Sequence, residues 1–122
     1  MKPSEFRQAV LKVLTECLDA GYPPLTRDDL RSHLGHRYPQ AHLGYGVNAR
    51  LLRLVKRGVL VAFRGGRGNG VGYRYMPANY LENLTHPKIA ADRAEELGKT
   101  ALARYLRTVG SYRDGRPPTQ KA

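Results

Sequence analysis

Apolar residues recur every three or four positions near the start of the chain, which is the spacing of an amphipathic helix. We expect this helix to be N-capped by Ser4 and to end at Gly21, because Pro23 and Pro24 follow and cannot continue it. Its predicted buried stripe is formed by Phe6, Ala9, Val10, Val13, Leu14, Cys17 and Leu18. The cysteine is therefore expected to be a small buried hydrophobic residue rather than a reactive thiol.

A second helix start is expected at Thr26, because Asp29 three residues later completes a capping pattern. Leu30 and Leu34 supply a short apolar seam before Gly35, which predicts a short helix of about two to three turns. Residues 36–43 then form a polar connector, which is longer than the turn of a tight helix-turn-helix.

The third predicted helix begins between Gly44 and Val47 and ends at Arg57 and Gly58. Its apolar stripe is formed by Val47, Leu51, Leu54 and Val55. The opposite face is formed by Tyr45, Ala49, Arg53 and Lys56, with Asn48, Leu52 and Arg57 at its flanks. A helix that buries the first set presents basic and small polar groups to solvent.

Beyond Gly58 the apolar period changes from helical to alternating, which predicts two β-strands at residues 59–64 and 71–76. The segment between them, residues 65–70, contains four glycines and predicts a flexible hairpin loop. Tyr73 and Tyr75 are expected to pack against the first helix rather than to stack on bases.

A long helix is predicted from about Thr85 to Val109, with Pro87 in its first turn. Such a helix is longer than a small domain needs to cover itself, so we expect it to pair with its counterpart in a homodimer. The residues expected at that interface are Ala94, Leu97, Ala101, Leu102, Tyr105 and Val109. The alternative is that this helix folds back onto the first helix of its own chain.

The distribution of charge changes the picture of the third helix and the hairpin. The 122 residues include 21 Lys and Arg against 10 Asp and Glu, a formal net charge of +11. Residues 1–36 are balanced, whereas residues 37–76 contain eight basic residues and no acidic one. A surface that serves only solubility mixes both signs, so this acid-free stretch favours a polyanion as the partner.

The spacing Val47-x-x-x-Leu51-x-x-Leu54-x-x-x-Gly58-Val59-Leu60-Val61, which follows two helices and leads into a basic hairpin, resembles the winged helix-turn-helix family. The resemblance covers roughly residues 4–77. It implies an α+β fold with three helices and a two-stranded β-hairpin wing, to which this chain adds a long C-terminal helix. The expected parts are a winged domain at 1–77, a helical extension at 78–109 and a disordered basic tail at 110–122.

The resemblance implies a sequence-specific protein for double-stranded DNA, most simply a small transcriptional regulator that acts as a repressor. The third helix would enter the major groove, where Arg53 suits guanine and Asn48 suits adenine, and Lys56 with Arg57 would meet phosphates. The full set of expected DNA-contacting residues is Tyr45, Asn48, Arg50, Arg53, Lys56, Arg57, Arg64, Arg67, Asn69 and Arg74.

Two other functions stay open at this point. One is a partition, replication-accessory or architectural protein on DNA, and the other is a module for RNA or protein interaction on the same scaffold. No arrangement of nucleophile and base is readable, so we expect neither an enzyme nor a cofactor. His33, His36 and His42 with one distant cysteine lack the spacing of a zinc site, so no metal is expected.

The chain contains no apolar run of transmembrane length, and its first twenty residues are too charged for a signal peptide. A single cysteine fits a reducing compartment. We therefore expect a cytoplasmic protein at the nucleoid, and regulation by a small-molecule effector stays open.

Overall fold

Five helices and three strands form within residues 2–39, 46–64 and 73–108, the parts of the chain that the computed structural model describes. The elements are α1 (Pro3–Asp19), β1 (Leu25–Thr26), α2 (Arg27–Arg37), α3 (Val47–Lys56), β2 (Leu60–Arg64), β3 (Tyr73–Pro77), α4 (Pro87–Glu96) and α5 (Thr100–Thr108). The fold is therefore α+β, as expected. No helix in these ranges combines the length and the apolarity that crossing a membrane requires.

The first two helices differ from the prediction at one end each. Helix α1 is capped by Lys2 rather than Ser4, and the Lys2 amide donates a 3.0 Å hydrogen bond to Glu5 Oε1. The predicted cap of α2 is confirmed, because the Asp29 amide donates to Thr26 Oγ1 over 3.1 Å. The predicted start of the connector at residue 36 is wrong, since α2 continues to Arg37.

The sheet has a third strand that periodicity did not reveal. The strand order is β1-β3-β2, and both pairings are antiparallel. Thr26 of β1 and Phe63 of β2 lie opposite Arg74 of β3, one on each side. Strand β3 is therefore the central strand, with hydrogen-bonded neighbours along both edges.

Both faces of this sheet are covered by helices. Leu60, Ala62 and Tyr75 face a hydrophobic cluster that they share with α1, α2 and α3. The alternating residues Val61 and Phe63, with Met76, face a second cluster formed mainly by α4 and α5. A strand buried on both sides is apolar at every position, which explains the unbroken apolar run in β2.

The prediction of one long C-terminal helix is wrong. Helix α4 ends at Glu96, and Gly98 follows with φ +79° in the left-handed region. The Lys99 amide donates to the Ala94 carbonyl over 2.9 Å and the Gly98 amide to the Glu95 carbonyl over 3.0 Å, which is a Schellman end. Helix α5 then begins at Thr100 and packs against α4.

The expected dimer stripe is largely used within the chain. Ala94 and Leu102 are buried in the second cluster, so they cannot form an interface with a second copy in this conformation. Ala101 and Tyr105 are half-buried, and Leu97 is 47% exposed. Val109 and the predicted tail lie outside the described residues.

Candidate nucleic-acid interface

Helix α3 separates apolar and basic residues onto opposite faces, as its sequence predicts. Its stripe of Val47, Leu51, Leu54 and Val55 is buried in the first cluster. Its exposed residues are Asn48, Ala49, Arg53, Lys56 and Arg57. We call these five residues the α3 face.

The cations of the α3 face are not neutralised by neighbouring carboxylates. Among the described residues, no ion pair involves Arg53, Lys56 or Arg57. Helix α4 shows the contrary arrangement, because Arg93 pairs there with Glu96 over 3.1 Å, and its Asp92 receives Arg107 of α5 over 3.1 Å. The positive potential of the α3 face is therefore available to an anionic partner.

The turn after α3 joins this face directly to the sheet. Gly58 has φ +77°, and the Val59 amide donates to the Leu54 carbonyl over 2.9 Å. Strand β2 begins at Leu60, two residues beyond the glycine. The orientation of α3 is thus fixed by its buried stripe and by a short, hydrogen-bonded connection.

Arg50 lies on the edge of α3 that faces α1. Its guanidinium carbon sits 5.3 Å from the ring centroid of Phe6, a cation–π geometry, and the side chain is half-buried. Only the exposed part of the Arg50 side chain, at the boundary between α1 and α3, is therefore left for the predicted contact with DNA.

A cavity of about 360 Å³ opens between the start of α1 and this edge of α3. We call it the arginine pocket, because four of its lining residues are Arg7, Arg50, Arg53 and Arg57. Phe6 and Leu54 also line it, and both are buried, so they form an apolar base beneath the guanidinium groups.

Arg74 is not available to a partner in the way that the sequence suggested. Its Nη1 donates a 2.8 Å hydrogen bond to the Pro24 carbonyl, and its guanidinium carbon lies 5.7 Å from the ring centroid of Tyr105. The physical reason is the central position of β3, which places Arg74 between β1 and α5. We therefore remove Arg74 from the expected DNA-contacting residues.

The tyrosines beside Arg74 behave as expected. Tyr75 is 2% exposed in the first cluster, and Tyr73 is half-buried against that cluster. Burial raises the pKa of the Tyr75 hydroxyl above its usual value. The packing interpretation is therefore confirmed for Tyr75, and Tyr73 packs against the same cluster with part of its side chain exposed.

Several predicted residues lie where the structure gives no side-chain contacts. Tyr45, Arg67 and Asn69 lie outside the described residues. Arg64 is the last residue of β2, opposite Tyr73 in the register. The predicted contacts of the hairpin tip with nucleic acid therefore stay predictions.

Cys17 is buried, as predicted, and its Sγ lies 3.9 Å from His33 Nε2. Burial raises the pKa of the Cys17 thiol, which disfavours the nucleophilic thiolate. Across residues 2–39, 46–64 and 73–108, no group of three or more His, Cys, Asp or Glu residues is placed to hold a metal ion.

Sequence reasoning missed Arg7. The balanced charge of residues 1–36 concealed it, because a net charge averages over faces that the fold separates. The available signal was its position directly after Phe6, a residue of the predicted buried stripe. A cation at the edge of such a stripe lies close to whatever helix the stripe packs against.

Comparisons with protein families, with curated proteins and with solved structures found no match to this chain. The interpretation of the site therefore depends on its residues and their geometry.

Proposed function

We propose that this chain is a sequence-specific double-stranded DNA-binding protein, most simply a transcriptional repressor, that inserts α3 into the major groove. The observation that carries the proposal is the α3 face, where three cations and an amide are exposed with no acidic partner among the described residues. Phosphate contacts by Lys and Arg supply most of the affinity of such proteins and set their salt dependence.

The dimensions of α3 suit this role. An α-helix with its side chains is about 10–12 Å in diameter, and the major groove of B-DNA, which is about 12 Å wide, admits it. Arg53 lies in the second half of the helix and is proposed to contact a guanine edge, and Asn48 near its start is proposed to contact adenine. Lys56 and Arg57 at its end are proposed to contact phosphates.

The architecture is compatible with a winged-helix-like fold. Helix α3 leads through Gly58 into β2, and β2 pairs with β3 as a hairpin. The segment 65–72 between these strands contains Arg67 and Asn69, which we propose contact the backbone or the minor groove beside the site.

The test begins with selection of bound sequences from random duplex DNA. The selected duplex is then titrated with the parent chain and with Arg53→Ala in a fluorescence anisotropy series at several salt concentrations. We expect Arg53→Ala to lose discrimination at one base pair by roughly 5- to 150-fold, equivalent to about 1–3 kcal/mol. The parent should show a steep fall of affinity with salt.

The matched control is Arg104→Ala, which removes an exposed mid-helix arginine from α5, on the opposite side of the sheet. It should bind like the parent. A parent chain with no affinity for any duplex at low salt would show that the proposal is wrong. A strong preference for structured RNA would point to the RNA module instead, because the deep A-form groove does not admit a helix such as α3.

Homodimer formation stays a prediction. Two copies would place their α3 helices about 34 Å apart, one turn of DNA, and the selected sites would be inverted repeats. Sedimentation of the chain at micromolar concentration tests it, and the spacing of selected half-sites gives an independent readout.

A further inference from the structure

We propose that the arginine pocket binds one phosphate group of the nucleic-acid backbone. This inference rests on the proposed function, and it adds α1 to the interface that the sequence placed on α3 and the hairpin alone. Arg7 then anchors the duplex without reading its sequence.

The pocket concentrates positive charge from two helices. Arg50, Arg53 and Arg57 lie three, four and seven positions apart along one edge of α3, and Arg7 faces them from α1. Among the residues that the structure describes, no acidic one lines the cavity. Glu5 is the acidic residue nearest to Arg7 in the sequence. Its carboxylate accepts a hydrogen bond from the Lys2 amide, and it lines a different cavity together with Lys12 and Tyr38.

The four guanidinium groups of the pocket carry like charges, and each can only donate hydrogen bonds. None of the four makes an ion pair among the described residues. An anion bound between them would offset this repulsion, above the apolar base formed by Phe6 and Leu54.

The beginning of α1 adds to the same field. Pro3 and Ser4, the first two residues of this 17-residue helix, line the pocket. The Ser4 amide belongs to the first turn, whose N–H groups have no partner inside the helix, and the helix dipole is positive at this end. The positive end of the α1 dipole therefore lies at the same cavity as the four guanidinium groups.

The chemistry of the donors favours phosphate over carboxylate. Guanidinium groups bind oxygen pairs as planar forks, and donors approaching from two helices match the tetrahedral arrangement of phosphate oxygens. Arg53 and Arg57 belong both to the α3 face and to the pocket. A phosphate in the pocket therefore lies directly beside a helix placed in the groove, where the sugar-phosphate backbone passes.

The test compares Arg7→Gln with Lys12→Gln, which removes an exposed cation from the same helix outside the pocket. Each variant is titrated with selected and unrelated duplexes across a salt series. We expect Arg7→Gln to lose about eightfold in affinity at 0.1 M salt on every duplex, the equivalent of one phosphate contact, and to reduce the salt slope by about one. Lys12→Gln should behave like the parent, and base preference should be unchanged in both.

Two further arms identify the source of the phosphate. Duplexes with a single neutral methylphosphonate at successive positions should reveal one position at which affinity falls more in the parent than in Arg7→Gln. Equal duplex binding by Arg7→Gln and Lys12→Gln overturns the inference, even where inorganic phosphate alone binds to the parent. Thermal melting confirms that both variants are folded, as expected for exposed side chains.

Failure of the proposed function gives a different result. A parent chain that binds no duplex rejects DNA binding, and calorimetric titration with inorganic phosphate then tests the pocket by itself. If inorganic phosphate binds to the parent and this binding is lost in Arg7→Gln, the pocket is a phosphate site. If the two chains give equal titrations, the phosphate site is rejected.

Discussion

Replacing Gly98 with alanine tests whether residues 87–108 form two helices, α4 and α5, or one continuous helix. Gly98 has φ +79°, and a Cβ built on it meets no atom within 4 Å. The substitution therefore tests backbone conformation with no steric clash. An L-residue in the left-handed region costs about 1–2 kcal/mol, so Gly98→Ala should lower the free energy of unfolding by that amount.

The opposite sign is expected if the chain continued as one helix through this position. Alanine in place of glycine inside a helix stabilises by about 0.5–1 kcal/mol. Gly35→Ala supplies this reference, because Gly35 lies within α2 and its Cβ would also meet no atom within 4 Å. The two glycines differ in backbone conformation, and the two substitutions should therefore change stability in opposite directions.

Thermal and urea unfolding of the parent and both variants measure the difference. A change of 1 kcal/mol corresponds to roughly 4 °C in Tm for a chain of this size. Gly98→Ala should melt about 4–8 °C below the parent, and Gly35→Ala a few degrees above it. A Gly98→Ala chain that melts above the parent, as Gly35→Ala does, would refute the α4–α5 turn and restore the single long helix.

Three other predictions follow from the second cluster. Arg74→Gln should lower stability by about 1–2 kcal/mol through loss of its hydrogen bond and ring contact, measured by urea unfolding, and should leave the salt slope of duplex binding unchanged. Leu106→Ala should cost about 2–5 kcal/mol, because Leu106 is fully buried, whereas Leu97→Ala should stay within about 0.5 kcal/mol in the same assay. Burial raises the pKa of Tyr105 to about 12, so the unfolded chain releases this proton first and stability should fall from about pH 10 to pH 12. The urea midpoint should therefore be lower at pH 12 than at pH 10, and this difference should be smaller in Tyr105→Phe than in the parent.

The parts of the fold that were predictable are those with a repeated local signal. Helix α3 spans Val47–Lys56, within the predicted limits, because its apolar stripe repeats over three turns and Gly58 marks its end. The exposure of Arg53 and Lys56 follows from the same stripe. In a strongly amphipathic helix such as α3, the sequence pattern therefore predicts both the ends of the helix and the face that is exposed.

The parts that were missed depend on contacts distant in sequence. Strand β1 contains two residues, Leu25 and Thr26, which are too few to show any period. The apolar residues keep the same helical period before and after Gly98. The period alone therefore predicted one helix where the structure has α4 and α5. Arg7 became a candidate only when the fold placed α1 beside α3, more than forty residues away in sequence.

The C-terminal helices bear on the proposed DNA site through the sheet against which they pack. Tyr105 of α5 contacts Phe63 of β2 edge-to-face, with the ring centroids 6.2 Å apart, and also lies beneath Arg74 of β3. The two strands that lead into segment 65–72 are thereby held between two helical layers. Helix α3 is joined to β2 through Gly58, so the orientation of the α3 face and the positions of the strands that flank segment 65–72 depend on the same sheet. Substitutions that loosen α5 should therefore weaken duplex binding only as far as they unfold the sheet. Duplex affinity of Leu106→Ala, corrected for its folded fraction, should equal that of the parent, and a residual loss would show that α5 acts on the site by another route.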